Sequence, residues 1–346
     1  MHILIVHNGQ IPVHTYGGVE RIIWWLGKEL VAMGHEITYL VKRKSTCPFA
    51  TVLELDPKKP LSEQIPDEVD LIHLHDDIEE ELPKPSILTY HQNSKESKVF
   101  PKNTVFLSKN QARRHGGSVF VYNGIDFTDY GEPNLRNRRM YFHFLGDAGL
   151  RVKNVRGAIE LTKKADVRLH VIGGTRVQIK SRRFTLNPHV RFHGMVGGDG
   201  KNVLLNGSKG LVYPVLWHEP FGLAIVESLY FGCPVFGTPF GSLPELLGSR
   251  DNLKGQLAGG TGRVDAVYSD FGCLSVKKSE LQTAIQNADS FGNKRCHEYV
   301  CDLYSSRRMA TDYLAIYERI LNGESLHEQA PEYQHSGEEE KLKLEN

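Results

Sequence analysis

The sequence predicts an α/β protein built from two Rossmann-like, parallel-sheet domains, and three observations carry that prediction. Short apolar runs alternate with segments of helical periodicity through both halves of the chain. The opening unit is an apolar run at His2 to His7, then Ile22, Ile23, Leu26, Leu30 and Met33 at helical spacing, then a second apolar run after Gly34. A strand–helix–strand unit of this kind joins parallel strands. The length of 346 residues suits two domains better than one.

In chain order, a loop from Asn8 to Tyr16 follows the first strand, and Gly17-Gly18 opens the first helix. Further strands are expected at 70–75, 87–91, 103–107 and 119–122. The stretch 127–139 is charged, proline-bearing and aperiodic, and is taken as a linker between an N-terminal domain, 1–126, and a C-terminal domain, 140–304. The second half continues with strands at 140–145, 168–172, 190–193 and 210–216 and helices at 154–164 and 201–207. Phe221 to Phe231 reads as a helix with Pro220 at its start and Gly232 as its stop. A short strand follows Pro234, a glycine-rich loop covers 252–272, and a helix covers 279–289. The segment 305–321 sets Met309, Tyr313, Ile316 and Ile320 on one helical face. Residues 322–346 are polar, with a Glu-Glu-Glu run, and are expected to be disordered.

Composition excludes several classes. Hydrophobic content of 40% and charged content of 24% are those of an ordinary globular chain. A formal net charge of +1 gives no case for a nucleic-acid partner. Five cysteines without regular spacing point to a reducing compartment, so a cytoplasmic protein is expected. No apolar run reaches the roughly 18 residues that a membrane span needs.

The stretch on which the chemistry centres is 216–227, Leu-Trp-His-Glu-Pro-Phe-Gly-Leu-Ala-Ile-Val-Glu. It sets Glu219 eight residues before Glu227, which on a continuous helix is a rise of about 12 Å. Carboxylates so placed are too far apart to share one bond, since glycosidase pairs lie within about 10 Å. They suit a long, hydroxyl-rich ligand, with a helix N-terminus between them for a diphosphate. Spacing alone favours the plainer reading of a solvated helix with two ordinary glutamates.

The wider run adds specificity. Glu219-Pro-Phe-Gly-Leu, Glu227-Ser-Leu, Gly232-Cys-Pro-Val and Gly241-Ser-Leu-Pro-Glu245 together resemble the donor site of retaining, family-4-type glycosyltransferases of the GT-B fold. The resemblance extends over roughly residues 1–321, including Asn123-Gly124-Ile-Asp126 as an inter-domain turn. It implies two Rossmann-like domains facing across a cleft, with the last helix, 305–321, crossing back onto the N-terminal domain. It also implies transfer of a hexose from a nucleotide diphosphate sugar, UDP- rather than GDP-linked, to a hydroxyl acceptor with retention. Such chemistry serves polysaccharide or glycoconjugate biosynthesis, and the acceptor class (glycan, lipid-linked or small molecule) stays open. By the same resemblance Glu219 contacts the donor sugar and Glu227 the ribose, with Phe221, Gly222 and Leu223 lining the site. No cofactor beyond the donor substrate is implied. The lack of an Asp-x-Asp motif implies no metal.

Other motifs fall around that core. Gly17-Gly18 lets backbone approach a phosphate at a helix start, although a plain glycine-capped helix reads the same way. His73 and His75 lie two apart on one strand and so point alike. His75 and His91 match cleft histidines of the family, His75 being the catalytic candidate, while His73 reads as packed in the sheet. At 146–154, Lys153 matches a family lysine that meets the diphosphate. Asp147 stands where the family has Arg and Asn154 where it has Gly, and Arg151 is the candidate substitute cation. The loops Gly173-Gly174-Thr175-Arg176 and Phe192-His193-Gly194-Met195 follow strands whose ends suit a nucleotide base. Six Lys/Arg between His91 and His115 offer peripheral contact with an anionic inner membrane face, beside the plainer reading of a solvated surface. Two rivals remain: a nucleotide-sugar-binding protein impaired by Asp147, and a metal-dependent hydrolase using His73, His75 and His91.

Overall fold

A computed structural model describes residues 1–13, 17–178, 183–184, 187–248, 266–334 and 342–345. The chain divides into two compact units, Met1–Asp126 with Tyr304–Glu338, and Phe127–Leu303 with Glu339–Asn346.

Among the described residues, unit 1 holds a six-stranded sheet of order β3-β2-β1-β4-β5-β7, parallel throughout. The strands are β1 (His2–His7), β2 (Glu36–Val41), β3 (Thr51–Glu54), β4 (Leu71–Leu74), β5 (Ser86–Thr89) and β7 (Thr104–Val105). β1 and β4 are buried along their whole length, the pattern a central parallel strand requires when both faces are covered. Leu4, Val6, Leu40, Ile72, Leu74 and Leu88 form one core cluster. Helix α1 (Gly18–Ala32) buries Ile22, Ile23, Trp25, Leu26 and Leu30. Gly27 is required there: a Cβ would stand 1.9 Å from the Tyr39 hydroxyl, which donates to the Ile23 carbonyl.

The helix Ser306–Leu321 belongs to unit 1 and packs on α1, with Ser305 capping it by accepting from the Arg308 N–H. Its buried Tyr317 and Tyr313 hydroxyls meet His73 and Thr89 of the sheet at 2.8 and 2.9 Å.

Two expectations for this unit are corrected, and one strand was missed. The strand at 119–122 reduces to an isolated bridge between Phe106 and Phe120. β3, an edge strand without alternation, was not legible. Residues 322–334 are not disordered: Leu326 and His327 are buried, His327 Nε2 lies 2.9 Å from the Thr104 carbonyl, and Glu332–Tyr333 pairs antiparallel with β6 (Lys98–Val99). Two buried side chains and a backbone ladder hold a stretch whose composition alone is that of a free tail.

Unit 2 holds a seven-stranded sheet of order β12-β9-β8-β13-β14-β16-β15, among the described residues. Its strands are β8 (Tyr141–Leu145), β9 (Leu169–Ile172), β12 (Val190–Phe192), β13 (Ser208–Tyr213), β14 (Val235–Gly237), β15 (Ala266–Ser269) and β16 (Gly272–Ser275). Only β15 runs antiparallel. The helices include α3 (Val155–Lys164), α4 (Gly198–Asn206), α5 (Leu223–Tyr230) and α6 (Leu243–Leu247). The glycine-rich loop read over 252–272 lies outside the described residues up to 265, and β15 occupies its end.

The stretch read as a linker, 127–139, is built into unit 2. Tyr130 is buried, Asn134 N–H donates to Asn206, and Arg139 donates to the Ser208 and Phe231 carbonyls. One of its charges, Arg139, serves carbonyl acceptors, while Asp129, Glu132, Arg136 and Arg138 are exposed.

Both sheets follow the doubly wound pattern, with a topological switch between β1 and β4 in unit 1 and between β8 and β13 in unit 2. Ligands of such sheets bind outside the carboxyl ends of the strands at that switch.

Candidate active site

In unit 2 the switch is flanked by two loops, 146–154 after β8 and 214–222 after β13. They are tied together by a hydrogen bond from Leu216 N–H to the Val152 carbonyl, 2.7 Å. Asn154 sits in the left-handed region (φ 53°) and accepts from Gly157 N–H, so it caps α3. Asn tolerates that conformation better than other non-glycine residues, which explains how it replaces the family's Gly. The cap also sets Lys153 just ahead of the helix.

Lys153 Nζ donates to Glu219 Oε2 at 2.6 Å and to the Tyr213 hydroxyl at 2.8 Å, and lies 4.6 Å from the Trp217 ring centroid. Tyr213 and Trp217 also donate to Glu219 Oε2, at 2.9 and 3.0 Å. Three donors therefore meet on one carboxylate oxygen, with the side chains of Lys153 and Glu219 only 12% and 7% exposed. Buried charges persist when paired and hydrogen-bonded in this way.

The helix carrying Glu227 differs from expectation. α5 begins at Leu223, so Pro220 is not its first residue, and Gly222 is the N-cap at φ 95°. Glu219 lies outside the helix, where it bridges Gly241 in a β-type contact and its carbonyl accepts from Ser242 N–H. The separation derived from a continuous helix therefore does not apply. Gly241 is obligatory, since a Cβ would stand 2.2 Å from the Glu219 nitrogen. Phe221 is core, at 2% exposure, while Leu223 is half-buried.

Glu227, 2% exposed, accepts at Oε1 from Tyr130 OH (2.6 Å) and Lys201 Nζ (2.7 Å). Neither partner was singled out by the sequence. Lys201 reads as one more surface lysine, and Tyr130 lies in the stretch taken as linker.

Asp147 accepts from Gly149 N–H at 2.7 Å, a local turn contact. Arg151 is exposed on a 3-10 turn and makes no ion pair among the described residues. The structure thus brings Lys153 to Glu219 but does not bring Arg151 into the cluster. The Gly173-Gly174 and Gly194 loops meet beside them: Gly173 N–H donates to the Gly194 carbonyl (2.7 Å) and Ala148 N–H to the Gly173 carbonyl (2.7 Å).

At the switch of unit 1, His75 is 4% exposed and its Nδ1 lies 2.9 Å from His91 Nε2, while its Nε2 is buried without a hydrogen-bond partner. Burial, reinforced by neighbouring imidazoles, holds His75 well below the usual histidine range and His91 down to about 3. Both are therefore neutral at pH 7. His73 is fully buried, with Nδ1 on Tyr317 and Nε2 on Thr89 at 2.7 Å, as a packed sheet residue. His7, not foreseen, ends β1 with Nδ1 3.0 Å from Asp76. Burial alone would lower it, but the hydrogen-bonded Asp76 carboxylate and the Glu20 carboxylate 4.0 Å away outweigh that and raise it to about 9. Gly17 is the N-cap of α1, where a Cβ would stand 2.8 Å from the Glu20 carboxylate, and Gly18 is the first helical residue.

Two doubly wound α/β units, each with polar side chains gathered at its switch point, are the architecture of the GT-B fold. Residues 143–264 match the family model described as Glycosyl transferases group 1. The comparison with curated proteins found no match. Among solved structures the chain is similar to a glycosyltransferase involved in avilamycin A biosynthesis, with a TM-score of 0.70 and 19% identity, covering 93% of this chain and 98% of that one. It is also similar to the sucrose-phosphate synthase of Thermosynechococcus elongatus, with a TM-score of 0.67 and 15% identity over 93% and 99% of the two chains. The Anabaena protein HepE in complex with UDP-glucose gives a TM-score of 0.56 and 15% identity over 93% and 99%. Likeness at these identities speaks for the shared fold.

Proposed function

We propose that the protein transfers a hexose from a nucleoside diphosphate sugar to a hydroxyl acceptor, with retention at the anomeric carbon and without a metal ion. The observation that carries this reading is the 2.6 Å contact between Lys153 and Glu219. In a nucleotide sugar the hexose and the distal phosphate share one bond, so the groups that recognise them must be neighbours. Lys153 meets the phosphate, and Glu219, with its donors gathered on Oε2, offers Oε1 to sugar hydroxyls. Gly222 and the first N–H groups of α5 face the same diphosphate, and Glu227 takes the ribose.

In the reaction the bond from the anomeric carbon to the phosphate oxygen breaks and a bond to the acceptor oxygen forms. Retention requires the acceptor to arrive on the face the diphosphate leaves, where a phosphate oxygen can take its proton. Lys153 stabilises the charge that grows on that phosphate. His75, neutral and with Nε2 unpartnered among the described residues, is the catalytic candidate that unit 1 offers. HepE is described with UDP-glucose, which favours uridine over guanosine for the donor.

A second reading, a nucleotide-sugar-binding protein with impaired turnover, is favoured by one observation. Asp147 occupies the position of the family's Arg, and Arg151 stays exposed. The hydrolase reading loses its ligand set, because His73 has both ring nitrogens engaged. Among the described residues no group of three His, Cys, Asp or Glu is placed to hold a metal.

Thermal-shift screening against UDP- and GDP-sugars, followed by NMR of the product's anomeric signal, tests the proposal. Stabilisation by a UDP-sugar and a product of unchanged anomeric configuration are expected. Inverted product sinks the retaining mechanism, and donor binding without release of nucleotide to any acceptor or water selects the second reading.

A further inference from the structure

Glu227 is held by residues from three separate segments of unit 2. Tyr130 comes from the stretch before β8, Lys201 from α4, and Glu227 itself from α5. Both donors reach the same oxygen, Oε1, and the Lys201 ammonium also lies 4.9 Å from the Tyr130 ring centroid. All three residues are buried, with the side chains of Lys201 and Glu227 at 9% and 3% exposure. A buried lysine loses hydration and side-chain freedom, and a hydrophobic residue of equal volume would often serve stability as well or better. A lysine spent in this position is better accounted for by what it does to its partner.

We propose that Lys201 is a positioning residue of the donor site: it keeps the buried Glu227 carboxylate ionised and, with Tyr130, fixes its plane so that it can accept from the vicinal hydroxyls of the donor's ribose. The physical logic is direct. A carboxylate takes two ribose hydroxyls as donors only when it is ionised and acceptor-only. Burial disfavours that form, and an ammonium at hydrogen-bond distance restores it. Two donors on Oε1 set the orientation of the carboxylate before the ligand arrives, which reduces the ordering lost on binding. Unit 2 then uses its lysines twice in the same way, Lys153 on Glu219 and Lys201 on Glu227. The inference rests on the reading of Glu227 as the ribose acceptor.

Calorimetric titration with uridine diphosphate between about pH 7 and pH 9 provides the test, since phosphate ionisation, with a second pKa of about 6, is complete across that range. The wild type should bind with nearly constant affinity. Lys201→Met removes the ammonium that donates to the buried Glu227 Oε1, so the Glu227 carboxyl should titrate upward. Affinity should fall roughly 10-fold or more at pH 7, about 1.4 kcal/mol, and recover towards pH 9. Lys201→Arg keeps the charge and should stay flat with pH. If Lys201→Met does not fold, Lys201→Gln, which keeps a donor and loses the charge, carries the same measurement. A purely structural lysine predicts either unchanged affinity or a loss equal at all pH values, and either result overturns the proposal. Glu227→Gln separates the two layers of the argument. If it binds uridine diphosphate as tightly as wild type, the ribose reading itself fails. If it weakens binding while Lys201→Met does not, only the role of Lys201 fails.

Discussion

Lys153 and Glu219 lie 66 residues apart in sequence and 2.6 Å apart in space, the lysine from the loop after β8 and the glutamate from the loop after β13. These two strands are adjacent, and their loops diverge at the topological switch of unit 2. The pair therefore stands where a doubly wound sheet offers its ligand crevice. Tyr213 and Trp217 complete a set in which one cation, one carboxylate and two aromatic donors share a single oxygen.

Lys153→Ala should lower kcat by about 100-fold or more, the scale on which removal of one preorganised donor to developing charge acts. Arg151→Ala should leave kcat within about threefold, because Arg151 is exposed, has no ion pair among the described residues, and surface charges contribute little. Steady-state kinetics of the two variants with one donor checks both. A loss at Arg151 as large as that at Lys153 would restore Arg151 as the second cation.

Glu227→Ala should weaken nucleoside diphosphate and full donor alike, by roughly 10- to 150-fold, from the 1.5–3 kcal/mol typical of a hydrogen bond to a charged group. Glu219→Ala should barely change nucleoside diphosphate affinity yet reduce turnover of the full donor. Titration of both variants with nucleoside diphosphate decides it, and equal losses would show that the two carboxylates share one task.

Activity should survive chelation. Lys153 and the N–H groups ahead of α5 supply the positive field at the diphosphate, so EDTA should leave initial rates unchanged. Loss of activity in EDTA with recovery on adding a divalent ion would contradict this.

Stability should fall on both sides of neutrality. His143, bridging Ser208 and Ser228, is pushed down to about 3 by burial, as is His91. Their unfolded forms bind a proton below about pH 6.5, so the stability present above that pH is lost progressively as pH falls towards 3. His7 titrates in the opposite sense. Burial lowers it, but Asp76 and Glu20 raise it to about 9, so its contribution is complete below about 6.5 and lost as pH rises through 9. Thermal unfolding followed from about pH 5 to pH 10 should show a maximum between these limits, and His7→Asn should flatten the alkaline limb. An unchanged alkaline limb in that variant would separate His7 from the effect.

The fold class could be read from the sequence alone, and so could the loops that hold the candidate site. Continuous apolar runs such as Ile3 to Val6 and Leu71 to Leu74 are what fully buried parallel strands demand, and local periodicity records that demand. Glu219, Gly222, Glu227 and Lys153 were legible as candidates because a family resemblance singled out the motifs that hold them. Partners across the sheet were not. Tyr130 and Lys201 acquire their meaning from a carboxylate, Glu227, brought to them by the tertiary fold, and nothing local distinguishes Lys201 from a solvated lysine. His7 was hidden for the same reason, since its charge depends on Asp76, 69 residues away on the neighbouring strand's loop. Residues 322–334 were misread because composition reports average solvation, whereas two buried side chains and one β ladder suffice to hold a polar segment. Hydrophobic pattern is written residue by residue along the chain, while the pairing of charges is settled only when the tertiary structure removes water from between them.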